Sequence, residues 1–166
     1  MSENEILVND DKLNEAQNIV RTHTYYAMGA GLVPIPVFDF VAVTGIQIDM
    51  LRCLSNLYEI DFMENKGKNL LGALTGGGAS SSFAPMLAST VKMIPFLGSI
   101  LGAVSMPAIA GATTYAVGKV FIQHFEAGGT LLNFDPKAMK AYYAEQLKEG
   151  NNIAAKSTPA TKSAIS

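Results

Sequence analysis

The sequence predicts an all-α fold, and three observations carry that prediction. Apolar residues recur at spacings of three and four through the first sixty positions. Proline and glycine fall where helices begin and end. The middle of the 166-residue chain holds two long uncharged stretches rich in glycine and alanine. Together they imply an N-terminal helical hairpin over 11–60, a Gly/Ala-rich apolar hairpin over 69–126 suited to a membrane, and a short C-terminal helix over 136–148. An acidic flexible start (1–10) and a disordered tail (150–166) complete the expected organisation.

The first helix is expected from about Asp11 to Ala30. Asn9, Asp10 and Asp11 supply N-cap chemistry and negative charge at the positive end of the helix dipole. Leu13, Ala16, Val20, His23, Ala27 and Ala30 make one narrow face. Gly29 and Gly31 weaken its end, and Pro34-Ile35-Pro36 stops it. The second helix opens at Pro36–Asp39, because proline suits a first turn, and runs to about Glu59. Val43, Ile46, Met50, Cys53, Leu57 and Ile60 form a packing seam. Asp49, Arg52, Asn56 and Glu59 form a wet face, with Asp49 and Arg52 able to pair at i,i+3.

Asp61–Lys68 reads as a charged connector. From Asn69 to Val91, and again from Met93 to Gly118, no residue is charged. Each run exceeds the roughly 20 residues that cross a bilayer core. Lys92 and Pro95 lie between them, which predicts a hairpin with its tip near Lys92–Gly98. Gly72/Gly76 and Gly98/Gly102 are GxxxG pairs, and Ala103, Ala108, Ala110, Gly111, Ala112, Ala116 and Gly118 add further positions for close backbone approach. Burial of the same stretches inside a soluble helical assembly is the alternative. The helix continues past Lys119 to Glu126, where Gly128-Gly129 ends it. Asn133-Phe134-Asp135-Pro136 forms a turn and cap. The last helix carries one aromatic stripe of Met139, Tyr142 and Tyr143.

Composition excludes several functions. Apolar residues are 49 % and charged residues 16 % of the chain, against roughly 25 % charged in ordinary domains. A net charge of −2 offers no basic footprint for nucleic acid. The single cysteine, Cys53, rules out an internal disulfide and any multi-cysteine metal site. No glycine-rich phosphate loop is present: Gly67-Lys68 is followed by Asn69, and Gly118-Lys119 by Val120. No cofactor or metal and no catalytic residue is expected, so the chain reads as a non-enzyme.

Four residues stand out as interaction candidates. Asp39, between Phe38 and Phe40, is a helix-start acid, a buried partner of Lys92, or a contact for another protein. Lys92 is a snorkelling tip residue or a paired, buried charge. Gly98 and Gly102 mark a helix–helix contact or simply small residues in a tight hairpin. His23 and Cys53 read as packed residues; they form a reactive pair only if the fold brings them together. His124 reads as a dipole-favoured residue at a helix end.

Three segments in order carry a family resemblance. Gly31-Leu32-Val33-Pro34-Ile35-Pro36-Val37-Phe38-Asp39, with Gln47-Ile48-Asp49-Met50-Leu51 and Leu57-Tyr58, comes first. Lys92-Met93-Ile94-Pro95-Phe96-Leu97-Gly98 follows. Gly111 to Lys119, with Phe125-Glu126-Ala127-Gly128-Gly129, closes it. Over residues 16–129 the chain resembles the YcjF-like GTPase-associated family. That resemblance implies a helical, membrane-associated domain found fused to, or encoded beside, small GTPases. It supplies no catalytic residues. The resulting expectation is a self-associating membrane anchor or scaffold for a partner such as a GTPase, in an inner membrane of bacterial type. Lys66, Lys68 and Lys119 flank the apolar hairpin and would keep both ends cytoplasmic. The alternative is a soluble or conditionally inserting oligomer.

Overall fold

A computed structural model describes residues 3–32, 36–75 and 106–157, with side chains at 9–32, 41–75 and 106–157. The described residues form five helices and no strand. They are α1 (Glu3–Ala30), α2 (Pro36–Leu57), α3 (Glu64–Thr75), α4 (Met106–Glu126) and α5 (Pro136–Ser157).

Helix α4 is the centre of the molecule. It packs on α1, α2, α3 and α5, and its glycines and alanines are what allow so many neighbours. Gly118 lies against Val20 of α1, Gly111 against Met28 and Thr24, and Gly31 against Pro107. These pairings run α1 antiparallel to α4. The core is completed by Ala112, Ala116, Val117, Val120 and Phe121, all fully buried. Each fully buried large side chain is worth roughly 1.5–3 kcal/mol relative to exposure. Residues 106–118 of the second uncharged run are therefore packed mainly against protein, a large part of that surface belonging to α1 and α5.

Helices α1 and α2 run in opposite directions. His23 meets Asp49, while Lys12 lies over the Tyr58 ring. The expected α1 face is buried at Ala16, Val20, His23 and Ala27. On α2 the buried face differs from the expected seam. Gln47, Ile48, Met50, Leu51, Leu54 and Ser55 are buried, whereas Val43, Ile46, Cys53 and Leu57 are only half-buried. The cause is that α2 touches α1, α3 and α4 at once, so it needs a wide face rather than a two-residue seam. Gln47 Nε2 donates to Thr114 Oγ1 at 3.2 Å inside that face and pins the register of α2 on α4.

Three helix boundaries depart from expectation. Helix α1 begins at Glu3, within the stretch expected to be flexible; between Glu3 and Met28 no glycine or proline interrupts it. The charged connector is partly helical, since α3 starts at Glu64. Helix α5 runs to Ser157 rather than stopping near Lys148, so residues 150–157 are not tail. Gln146, Gly150 and Ala154 line its buried side. Gly150 and Ala154 are small and give little hydrophobic signal, yet Gly150 lets α5 lie directly on Ala112.

Helix ends follow local chemistry. The Ile60 N–H donates to the Ser55 carbonyl at 2.8 Å, and Glu59 adopts a left-handed φ of 58°. The Gly129 N–H donates to the His124 carbonyl at 2.9 Å, with Gly128 at φ 78°. Both are Schellman-type closures. Asp135 caps α5 by accepting from the Lys137 N–H at 2.9 Å.

Candidate functional site

Two features of the described residues invite a functional reading. One is an apolar end of the bundle. The other is a polar cluster between α1 and α2.

The apolar end is where α1 finishes and α4 begins. α3 is antiparallel to α2, because Gly67 faces Ile48 and Glu64 pairs with Arg52 at 3.6 Å. Thr75 therefore points to the same end. Leu32 is 72 % exposed, Val41 65 % and Met106 56 %, and Ile109 is exposed beside them in sequence. Thr75 and Met106, the described residues on either side of 76–105, both lie at this end. Lys92, Gly98 and Gly102 lie in that segment, outside the described residues. The backbone of Asp39 falls in the opening turn of α2, where a helix-start acid belongs. Among the described residues, no helix is long and apolar enough to cross a membrane. The opposite end carries an aromatic cluster, with Phe121 stacked on Phe134 at 4.5 Å and Tyr58 against Phe125 at 5.6 Å. Tyr58 donates to Glu126 there.

The polar cluster is made of His23, Asp49 and Cys53. Their donor atoms lie within 4.8 Å of one another. His23 is buried on the inner face of α1, and its Nδ1 is 2.8 Å from the Ile19 carbonyl one turn back. A carbonyl oxygen only accepts, so Nδ1 carries a proton. Nε2 faces Asp49 Oδ2 at 3.3 Å. Tyr26 stands edge-on to the imidazole at 5.8 Å. The other Asp49 oxygen faces Arg52 at 3.7 Å, and Arg52 continues to Glu64 at 3.6 Å. Lys68 donates to Glu64 at 2.7 Å. Burial pushes the Cys53 thiol up, and Asp49 adds to the shift while Arg52 opposes it. Lys68, by its hydrogen bond and its charge, holds the Glu64 carboxyl below the ordinary value, with Arg52 contributing less.

The fold thus brings His23 and Cys53 together. The arrangement is not that of a nucleophilic triad, which needs one ring nitrogen on the nucleophile and the other on the acid. Here both ring nitrogens face oxygen, and the thiol is held protonated. A sequence reading misses the cluster because His23 and Asp49 sit on different helices. The Asp49/Cys53 spacing of one turn is the only local signal. His124 has a structural role instead. Its Nε2 is 2.9 Å from the Thr130 carbonyl and 3.1 Å from Asn133 Oδ1, and its ring lies on Gly129. It ties the end of α4 to the loop before α5.

Over 145 residues the chain is 43 % identical to Magnetosome membrane protein 22 of Magnetospirillum gryphiswaldense, covering 85 % of this chain and 73 % of that protein. No solved structure matches. Residues 2–151 match the family described as "Domain of unknown function (DUF697)", the YcjF-associated domain, and the chain belongs to that family.

Proposed function

We propose that this protein is a non-enzymatic, membrane-associated helical protein that self-associates and serves as an anchor or scaffold, with a separately encoded GTPase as the partner class. The observation that carries this reading is the apolar end of the bundle. Leu32, Val41, Met106 and Ile109 are exposed at the end where Thr75 and Met106 lie, and the sequence between those two residues holds one charge, Lys92, among thirty mostly small and apolar positions. Exposed apolar groups gathered at one place mark a surface that meets lipid or protein. The relative's name, a magnetosome membrane protein, supports lipid. Asp39, Lys92, Gly98 and Gly102 remain the proposed contact residues. Lys66, Lys68 and Lys119 favour an orientation with both chain ends on the cytoplasmic side.

A second reading rests on α4, whose Met106–Gly118 half packs against α1 and α5. In that reading the protein is a soluble or conditionally inserting oligomer, with the apolar end buried between copies. Carbonate washing of membranes, followed by flotation of the purified protein with vesicles, separates the two. Membrane retention and flotation support the anchor. Full recovery in a detergent-free, monodisperse soluble peak supports the oligomer and sinks the first reading.

A further inference from the structure

We propose that His23, Asp49 and Cys53 form a binding site for a divalent transition metal of the zinc class. The argument starts from the hydrogen atom. The Ile19 carbonyl accepts a hydrogen bond from Nδ1 of His23, which leaves Nε2 to face Asp49 Oδ2 at 3.3 Å. A ring nitrogen and a carboxylate oxygen at that distance are satisfied by a positive species between them. That species is either a second proton on the imidazole or a metal ion.

Cys53 decides in favour of metal. An imidazolium–carboxylate pair has no use for a thiol, yet the Cys53 sulfur lies within 4.8 Å of both other donor atoms. Zinc bonds of about 2.0–2.3 Å in a tetrahedron place donors roughly 3.3–3.8 Å apart, so small side-chain rotations close the set. Nitrogen, sulfur and oxygen donors together suit zinc or cobalt rather than magnesium or calcium. Three protein ligands leave a fourth position for water. The outer shell is also in place: a backbone carbonyl holds the far nitrogen of His23, and Arg52 holds the far oxygen of Asp49 at 3.7 Å. Arg52 is itself balanced by Glu64 at 3.6 Å. The Asp49 side chain is 58 % exposed, which gives the ion a path from solvent. A thiol gives up its proton to water on binding a metal, so affinity rises with pH.

The test is titration of the purified, reduced full chain with Co²⁺, followed by Zn²⁺ competition. The expected result is one Co²⁺ per chain, a sulfur-to-cobalt charge-transfer band, and loss of the band when Zn²⁺ is added. Cys53→Ser abolishes the band. Asp49→Asn weakens binding at least as much as the roughly 10–100-fold that loss of an outer-shell partner costs. His23→Gln does the same; if that buried variant fails to fold, the exposed Asp49→Asn decides. Absence of a charge-transfer band at saturating Co²⁺ overturns the proposal. So does a band that survives Asp49→Asn at unchanged affinity, because a lone thiol would then account for it.

Discussion

Gly118 of α4 touches Val20 of α1 at a distance that glycine alone permits. A β-carbon at position 118 would stand 2.4 Å from Val20 Cγ2, 2.7 Å from Val20 Cγ1 and 3.1 Å from Met50 Sδ. Val20 and Met50 are both fully buried, and valine has one strongly preferred rotamer in a helix. Three helices meet at this point, and the glycine sets how closely they do so.

Gly118→Ala is therefore expected to destabilise the fold. Overpacking a close contact costs about 1–3 kcal/mol, against a gain of about 0.8–1 kcal/mol in helix propensity. The net effect is a lower thermal midpoint. Adding Val20→Ala to the same chain should recover part of the contact strain while opening a small cavity. A single Gly118→Ala variant as stable as the wild type would mean that α1 and α4 are not in this register.

Glycines at other positions separate contact from propensity. A β-carbon at Gly150 meets the Ala112 carbonyl oxygen at 2.8 Å and its Cα at 3.0 Å, whereas one at Gly45 meets nothing within 4 Å. Backbone cannot turn aside as a side chain can, so Gly150→Ala should push α5 off α4 and lower stability. Gly45→Ala, on an exposed stretch of α2, should raise stability by roughly 0.5–1 kcal/mol. Urea unfolding of both variants reads the difference; the same sign for both would contradict the packing of α5.

Glu59 holds a left-handed φ of 58° at the close of α2, a conformation that costs a non-glycine residue roughly 1–2 kcal/mol. Glu59→Gly relieves that strain and adds freedom to the unfolded chain. The expected balance is a gain of up to about 1 kcal/mol. A loss measured by thermal unfolding would show that the Glu59 side chain has a role beyond the turn.

Tyrosines set an alkaline limit to stability. Burial raises Tyr143 to about 12. Burial, then Glu126, raises Tyr58; burial, then Glu149, raises Tyr115; burial, then Glu145 and Glu149, raises Tyr142. Unfolded tyrosine titrates near 10. The folded state therefore holds protons that the unfolded state releases, and its advantage is complete below about pH 10 and is lost as pH rises through the folded values. In a Tyr25→Phe/Tyr26→Phe background, which removes the two exposed tyrosines, tyrosinate absorbance should appear together with loss of helical circular dichroism. In Tyr143→Phe the alkaline transition should move to higher pH. Without Tyr25 and Tyr26, tyrosinate forming well before any loss of helix would contradict this linkage.

The sequence alone determined the helical class, the Pro36 and Pro136 helix starts, the Gly128 stop, the buried α1 face through Ala16, Val20 and Ala27, and the family. These are local matters: spacing of apolar groups, caps and breakers act within a few residues of one another, so one strand of text carries them. The tertiary structure alone decided which neighbours α4 has, how wide the buried face of α2 must be, and that α5 continues through Gly150 to Ala154. It also decided that His23 stands beside Asp49 and Cys53. Small residues such as Gly111, Gly118 and Gly150 announce close approach but not the partner, because the absence of a side chain is equally suited to any surface until another helix is laid on it.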